Sequence, residues 1–124
     1  MPSIVLAGTQ KSSQWQDFAK TLADEMQVEI VYAQTGTKAL SLVQDNPPLA
    51  VIAGQELSDM TGASLVKRLL EINAMIYTAM VSDKTNDTFH EETEGLGIVM
   101  QLPSSPTQEQ AYQLALRLRE LTGI

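Results

Sequence analysis

Few residues in this chain have types and spacing that suit chemistry. His90 is the only histidine, and Glu91, Glu92 and Glu94 follow it closely. Imidazole and carboxylates together bind metal ions. The same residues also make an ordinary solvated helix face, and one histidine with no cysteine argues against a structural zinc site. The run Gly8-Thr9-Gln10-Lys11-Ser12-Ser13 places a lysine and hydroxyls before a helix, a setting that suits an anion. It lacks the glycine spacing of a phosphate-binding loop or a dinucleotide fingerprint. Ser12 and Ser13 have no histidine base placed by a known motif, and there is no nucleophile elbow. Helix capping accounts for Ser13. With no cysteine, disulfides and thiolate chemistry are absent, and nothing points to an oxidising compartment.

The elements that would position these residues alternate regularly. Ile4–Ala7 is a continuous apolar run, as in a strand buried on both faces. Ser13 with Gln16 is a capping-box pair, and Trp15, Phe18, Ala19, Leu22 and Ala23 follow at helical spacing. Trp15 is in register with Phe18 and Leu22, which favours core packing over a surface anchor. Val28–Tyr32 reads as a second strand. Thr37 is expected to cap a helix through Ala39, Leu40 and Val43, which Asn46-Pro47-Pro48 ends. Leu49–Ala53 is a third strand, and the loop Gly54–Thr61 leads to a helix with Leu65, Val66, Leu69, Leu70 and Ile72. Met75–Val81 is a fourth strand. Ser82–Glu94 is polar, with Phe89 nearly its only apolar anchor, so its helix signal is weak. Ile98–Met100 is a fifth strand, closed by Leu102-Pro103. Thr107 and Gln110 form another capping box before Ala111, Leu114, Ala115, Leu118 and Leu121, and Gly123 supplies a stop.

Five strand–helix units predict a single α/β domain over residues 1–124, with a doubly wound parallel sheet and right-handed crossovers. Ligands of such sheets bind beyond the carboxyl ends of the strands. The loops that matter are therefore Gly8–Gln14, Gly54–Thr61, Ser82–Thr85 and Leu102–Ser105. The composition is that of a globular protein, 44% hydrophobic and 19% charged. Fifteen acidic residues against 8 basic ones give a net charge of −7, which disfavours nucleic acid and anionic membranes as partners. The start carries no basic segment followed by a long apolar run, so a cytoplasmic location is expected. Asn86-Asp87-Thr88 is then a chance match to the glycosylation sequon.

The best local motif is Leu49-Ala50-Val51-Ile52-Ala53-Gly54-Gln55-Glu56-Leu57-Ser58-Asp59-Met60-Thr61-Gly62. With Gly36 before Ala39-Leu40, and Gly95 before Pro103, it resembles the receiver domain of two-component response regulators. The resemblance runs from about Ser3 to Leu121. It implies a flavodoxin-like (βα)5 fold with strand order 2-1-3-4-5. It also implies where a phosphoryl-transfer site would lie. The acidic pair that holds Mg²⁺ in receivers falls on Gly8 and Thr9, or on Thr9 and Gln10 one residue along. The phosphoacceptor aspartate falls on Gly54 and the lysine on Leu102, and Ser82 matches the hydroxyl after the fourth strand. Asp59 stands where glycine is common and Ser58 where proline is usual. Mg²⁺ requires hard oxygen ligands, and phosphoryl transfer requires a nucleophile with charge stabilisation. Glycine and leucine supply neither. Glu56 is a poor substitute acceptor, because no second carboxylate accompanies it.

The expected function is a non-enzymatic pseudo-receiver that binds a partner or itself without phosphorylation. The alternative is a small-ligand or nucleotide sensor using Gly8, Thr9, Gly54, Gln55 and Ser82; an enzyme of this fold is least favoured. Tyr112 and Leu116, four residues apart and off the main apolar stripe of the last helix, suit a contact face. Acidic Glu91, Glu92 and Glu94 and basic Arg117 and Arg119 would flank them in an isologous homodimer.

Overall fold

The computed structural model describes residues 2–8 and 13–123. The chain runs β1 (Ser3–Ala7), α1 (Ser13–Met26), β2 (Glu29–Ala33), α2 (Gly36–Asp45), β3 (Ala50–Ala53), α3 (Gly62–Ile72), β4 (Tyr77–Val81), α4 (Asn86–Thr93), β5 (Ile98–Leu102) and α5 (Gln108–Thr122). All strand pairs are parallel, in the order β2-β1-β3-β4-β5. The expected doubly wound, flavodoxin-like topology is the observed one.

The alternation of side chains along each strand divides the core in two. Ile4, Leu6 and Ile52 point to one face, under Trp15, Phe18 and Leu22 of α1 and Leu114 and Leu118 of α5. Val5, Ala7, Val51 and Ala53 point to the other, under Val43 of α2, Leu65 and Leu69 of α3, and Phe89 of α4. This places α1 and α5 on one side of the sheet, and α2, α3 and α4 on the other. The weakly signalled segment before Glu94 is a true helix, held by buried Phe89 and Thr93 and capped by Thr85, whose side chain accepts the Thr88 N–H.

Several expected boundaries move. The cap of α2 is Thr35, whose side-chain oxygen accepts the Lys38 N–H at 3.0 Å, and not Thr37. Thr37 lies within the first turn and its hydroxyl is engaged elsewhere. β4 begins at Tyr77 and leaves Met75 84% exposed, because Asn73 turns the chain by accepting the Met75 N–H on its side chain. β5 continues to Leu102, paired with Val81. Thr78 pairs with Ile98 but Ala79 pairs with Met100, so Val99 is an extra residue in the edge strand. Among the described residues, no helix is long and apolar enough to cross a membrane.

Candidate functional site

The carboxyl ends of β1, β3, β4 and β5 lie at one mouth, and the residues there narrow it. Gly54 follows β3. Its N–H donates to the Ala7 carbonyl at 2.7 Å, which draws the chain against the end of β1. A Cβ at position 54 would lie 2.8 Å from the Gly8 carbonyl oxygen and 3.0 Å from that of Ala7. Both atoms are backbone and cannot rotate away. Gly62 allows the same close approach from the far end of the loop, where its backbone lies against the Gly54 carbonyl.

Gly8 has φ +69°, a left-handed conformation that favours glycine. Its N–H donates to the Ala33 carbonyl at 2.8 Å. A Cβ there would lie 2.5 Å from Cγ of Leu57, so an apolar side chain from the β3–α3 loop covers the end of β1. Leu102 is fully buried among the side chains beneath α1 and α5 and does not reach the mouth. Ser82 is buried, with its hydroxyl accepting the Lys84 N–H at 3.2 Å. Thr9, with Gln10, Lys11 and Ser12, lies outside the described residues. Gly8 and Gly54 thus offer no carboxylate for Mg²⁺, and a leucine fills space beside the end of β1.

Polar bonds lace the rim. The Gln101 side-chain amide donates to the carbonyls of Ser82 at 2.9 Å and Lys84 at 2.8 Å. Asp83 accepts the Ser104 N–H at 3.2 Å and its hydroxyl at 3.0 Å, joining the loops after β4 and β5. Trp15, only 3% exposed, donates its indole N–H to the Ser104 carbonyl at 3.0 Å and meets Phe18 edge-on. It is a core residue that ties α1 to the loop after β5. A cleft of about 370 Å³ remains beside Gly8, Trp15, Gly54, Gln55, Ser104 and Ser105. Glu56 lines the same cleft and bridges to Thr61 through the backbone.

The sequence reading missed the role of Asp59. Its carboxylate accepts the Gly36 N–H at 2.8 Å, the Thr37 N–H at 3.0 Å and the Thr37 hydroxyl at 2.7 Å. With Thr35 taking the Lys38 N–H and its carbonyl taking that of Ala39, every N–H from Gly36 to Ala39 at the start of α2 has a partner. The Thr37 hydroxyl first, then the Gly36 and Thr37 N–H groups, lower the Asp59 carboxyl from 3.8 to about 2. The available signal was an aspartate where the pattern expects glycine.

The proposed contact residues do not form one face. Glu91 and Glu94 line a groove between α4 and β5 with His90, Val99 and Met100. Glu92 points the other way and pairs with Lys84. Tyr112 and Leu116 are 46% and 56% exposed. Tyr112 borders a groove against α1, beside Asp17, Lys20 and Asp24. Arg119 reaches across to α1 and pairs with Glu25 at 3.0 Å, so it is already engaged within the chain. Arg117 is exposed. The residues read from the sequence as one homodimer face are thus divided, with Tyr112 and Arg119 beside α1 and Glu91 and Glu94 beside β5. Helical rotation turns Tyr112 and Arg119 toward α1, on the opposite side of the sheet from α4. His90 is exposed and edge-on to Phe89, and among the described residues no group of three or more acidic, histidine or cysteine residues is placed to hold a metal.

No family model and no curated protein matches this sequence. Solved structures do match. The chemotaxis response regulator CheY4 of Vibrio cholerae is 21% identical with a TM-score of 0.80, over 95% of this chain and 98% of that one. A CheY-like receiver domain protein from Methanospirillum hungatei is 14% identical with a TM-score of 0.79, over 97% and 95%. The signal receiver domain of an HD domain-containing protein from Pseudomonas fluorescens is 19% identical with a TM-score of 0.78, over 98% and 90%. At these identities the likeness establishes the fold: this chain has the receiver fold.

Proposed function

We propose that this domain is a pseudo-receiver, a signalling module that works in the cytoplasm by binding a protein partner, without phosphorylation and without catalysis. The observation that carries this reading is the contact between Gly54 and the ends of β1. The sequence resemblance to receivers assigns the phosphoacceptor to Gly54, and the Gly8 and Ala7 carbonyl oxygens occupy the approach of any Cβ there. The loss is thus built into the backbone and goes beyond one missing side chain. At the positions the resemblance gives to the metal and the lysine the change lies in side chains, with Leu57 packed against Gly8 and Leu102 buried. What remains of a receiver is a rigid scaffold with exposed helices, and fold alone does not assign chemistry to it. The test is incubation with Mg²⁺ and acetyl phosphate followed by intact mass. The expected result is an unchanged mass, and a stoichiometric gain of one phosphoryl group overturns the reading.

The cleft beside Gly8, Trp15, Gly54 and Ser104 favours a second reading, a sensor of a small ligand or nucleotide. A ligand that binds the native state raises its melting temperature by mass action. A metabolite and nucleotide thermal-shift screen with no hit in wild type would remove this alternative.

A further inference from the structure

The groove between α1 and α5 combines a fixed shape, an apolar pair and a one-sided charge. Its shape is fixed by the Gln108 side chain donating to the Thr21 hydroxyl at 3.2 Å and by the Glu25–Arg119 pair further along. Both helices pack on the same face of the sheet, so the groove lies on a rigid base. Tyr112 borders the groove from α5, and Leu116 lies one turn further along the same helix; both are about half exposed, so together they give the rim of the groove an apolar pair.

Around that pair the charges are mostly of one sign. Asp17 and Asp24 border the groove on α1, and exposed Glu109 and Glu120 lie one turn from Tyr112 and Leu116 respectively on α5. Among the described residues Lys20 is the one cation lining the groove. Arg119 is neutralised by Glu25. A second copy docking by the same patch would set these carboxylates against themselves, since an isologous contact pairs a patch with its own image. Like charges facing across an interface oppose association. The complementary occupant is a cationic one.

We infer that the α1–α5 groove docks a basic amphipathic helix from a protein partner, with apolar side chains on Tyr112 and Leu116 and lysines or arginines toward Asp17, Asp24, Glu109 and Glu120. This rests on the partner-binding reading above and names the face and the partner's chemistry. Such helix-in-groove contacts are anchored by apolar residues at helical spacing, while rim charges govern partner choice and salt dependence.

The test uses the whole domain and a fluorescein-labelled amphipathic lysine–leucine helical peptide, with a glutamate–leucine peptide as control. Anisotropy should show saturable binding of the lysine peptide only, weakened about tenfold in a Tyr112→Ala, Leu116→Ala variant, a change of about 1.4 kcal/mol. Asp17→Lys with Asp24→Lys should weaken it similarly, and Glu91→Lys with Glu94→Lys, on α4, should leave it unchanged. Equal binding by the Tyr112 and Leu116 variant, or loss only in the α4 variant, overturns the inference. A concentration-dependent dimer in sedimentation that the same variant abolishes would overturn it in favour of a second copy. These outcomes are independent of the acetyl phosphate result, so failure of the docking face and failure of the pseudo-receiver reading are told apart.

Discussion

The Thr37 hydroxyl donates to the Asp59 carboxylate at 2.7 Å, joining the first turn of α2 to the loop between β3 and α3. The two backbone N–H donors at Gly36 and Thr37 complete a three-point clamp on one carboxylate. Aligned peptide dipoles make the start of a helix favourable for negative charge. The loop that carries Gly54 and Leu57 toward β1 is therefore fastened at Asp59 to a neighbouring helix.

The clamp predicts a pH dependence. The folded carboxyl is lowered to about 2 from 3.8, so its ionised form is favoured by folding. The stability it contributes is complete above the unfolded value and is lost as pH falls from about 4 through about 2. Asp59→Asn should melt lower than wild type at neutral pH and show less acid sensitivity in that window. Thermal unfolding of both proteins across the window measures the difference, and parallel curves would contradict the clamp.

Gly54→Asp should not restore phosphorylation. The new Cβ meets backbone oxygens, so the substitution should destabilise by about 1–3 kcal/mol, the usual range for overpacking. Gly54→Ala should show most of the same loss, since the clash begins at the first carbon. Urea unfolding gives both values, and a Gly54→Asp variant of wild-type stability that gains a phosphoryl group would show that the mouth opens.

Leu102→Lys should cost about 3 kcal/mol or more, because an ammonium in the apolar layer under α1 and α5 has no partner. Leu102→Met, similar in volume, should cost less than about 1.5 kcal/mol. The contrast between the two in the same urea series separates burial of charge from loss of packing.

Trp15 is the single tryptophan and is 3% exposed, so its native emission should be blue-shifted and should move to the red on unfolding. Trp15→Phe removes the indole donor to Ser104 and should lower stability by about 1 kcal/mol. If Trp15→Phe costs nothing while Ser104→Ala, which keeps the accepting carbonyl, destabilises, the Asp83–Ser104 bond and not the indole bond secures this loop.

The order of elements was readable in the sequence because strands buried on both faces are written as unbroken apolar runs, as in Ile4–Ala7 and Ala50–Ala53. The helix caps were readable where the side chain bonds its own helix, as at Thr107. At α2 two threonines of the same chemistry lie two residues apart; Thr35 caps the helix while the Thr37 hydroxyl bonds the distant Asp59, a contact that the local sequence does not show. The missing carboxylates at Gly8 and Gly54 were legible as letters. Their closure by carbonyl oxygens and Leu57 was not, because it depends on how closely two loops approach. Periodicity placed Tyr112 and Leu116 on the surface, but that Tyr112 borders α1 follows from the packing of α5 on α1.

Val99, the residue without a partner in β4, bears on how the molecule behaves in a crowd. β5 closes one side of the sheet, and a straight border strand is a template onto which another chain can add. An inserted residue bends the strand and sharpens its twist, which spoils the even ladder that such addition requires. The irregularity at Val99 thus guards an exposed border against runaway stacking, and deletion of that one residue should make the domain more prone to form fibres.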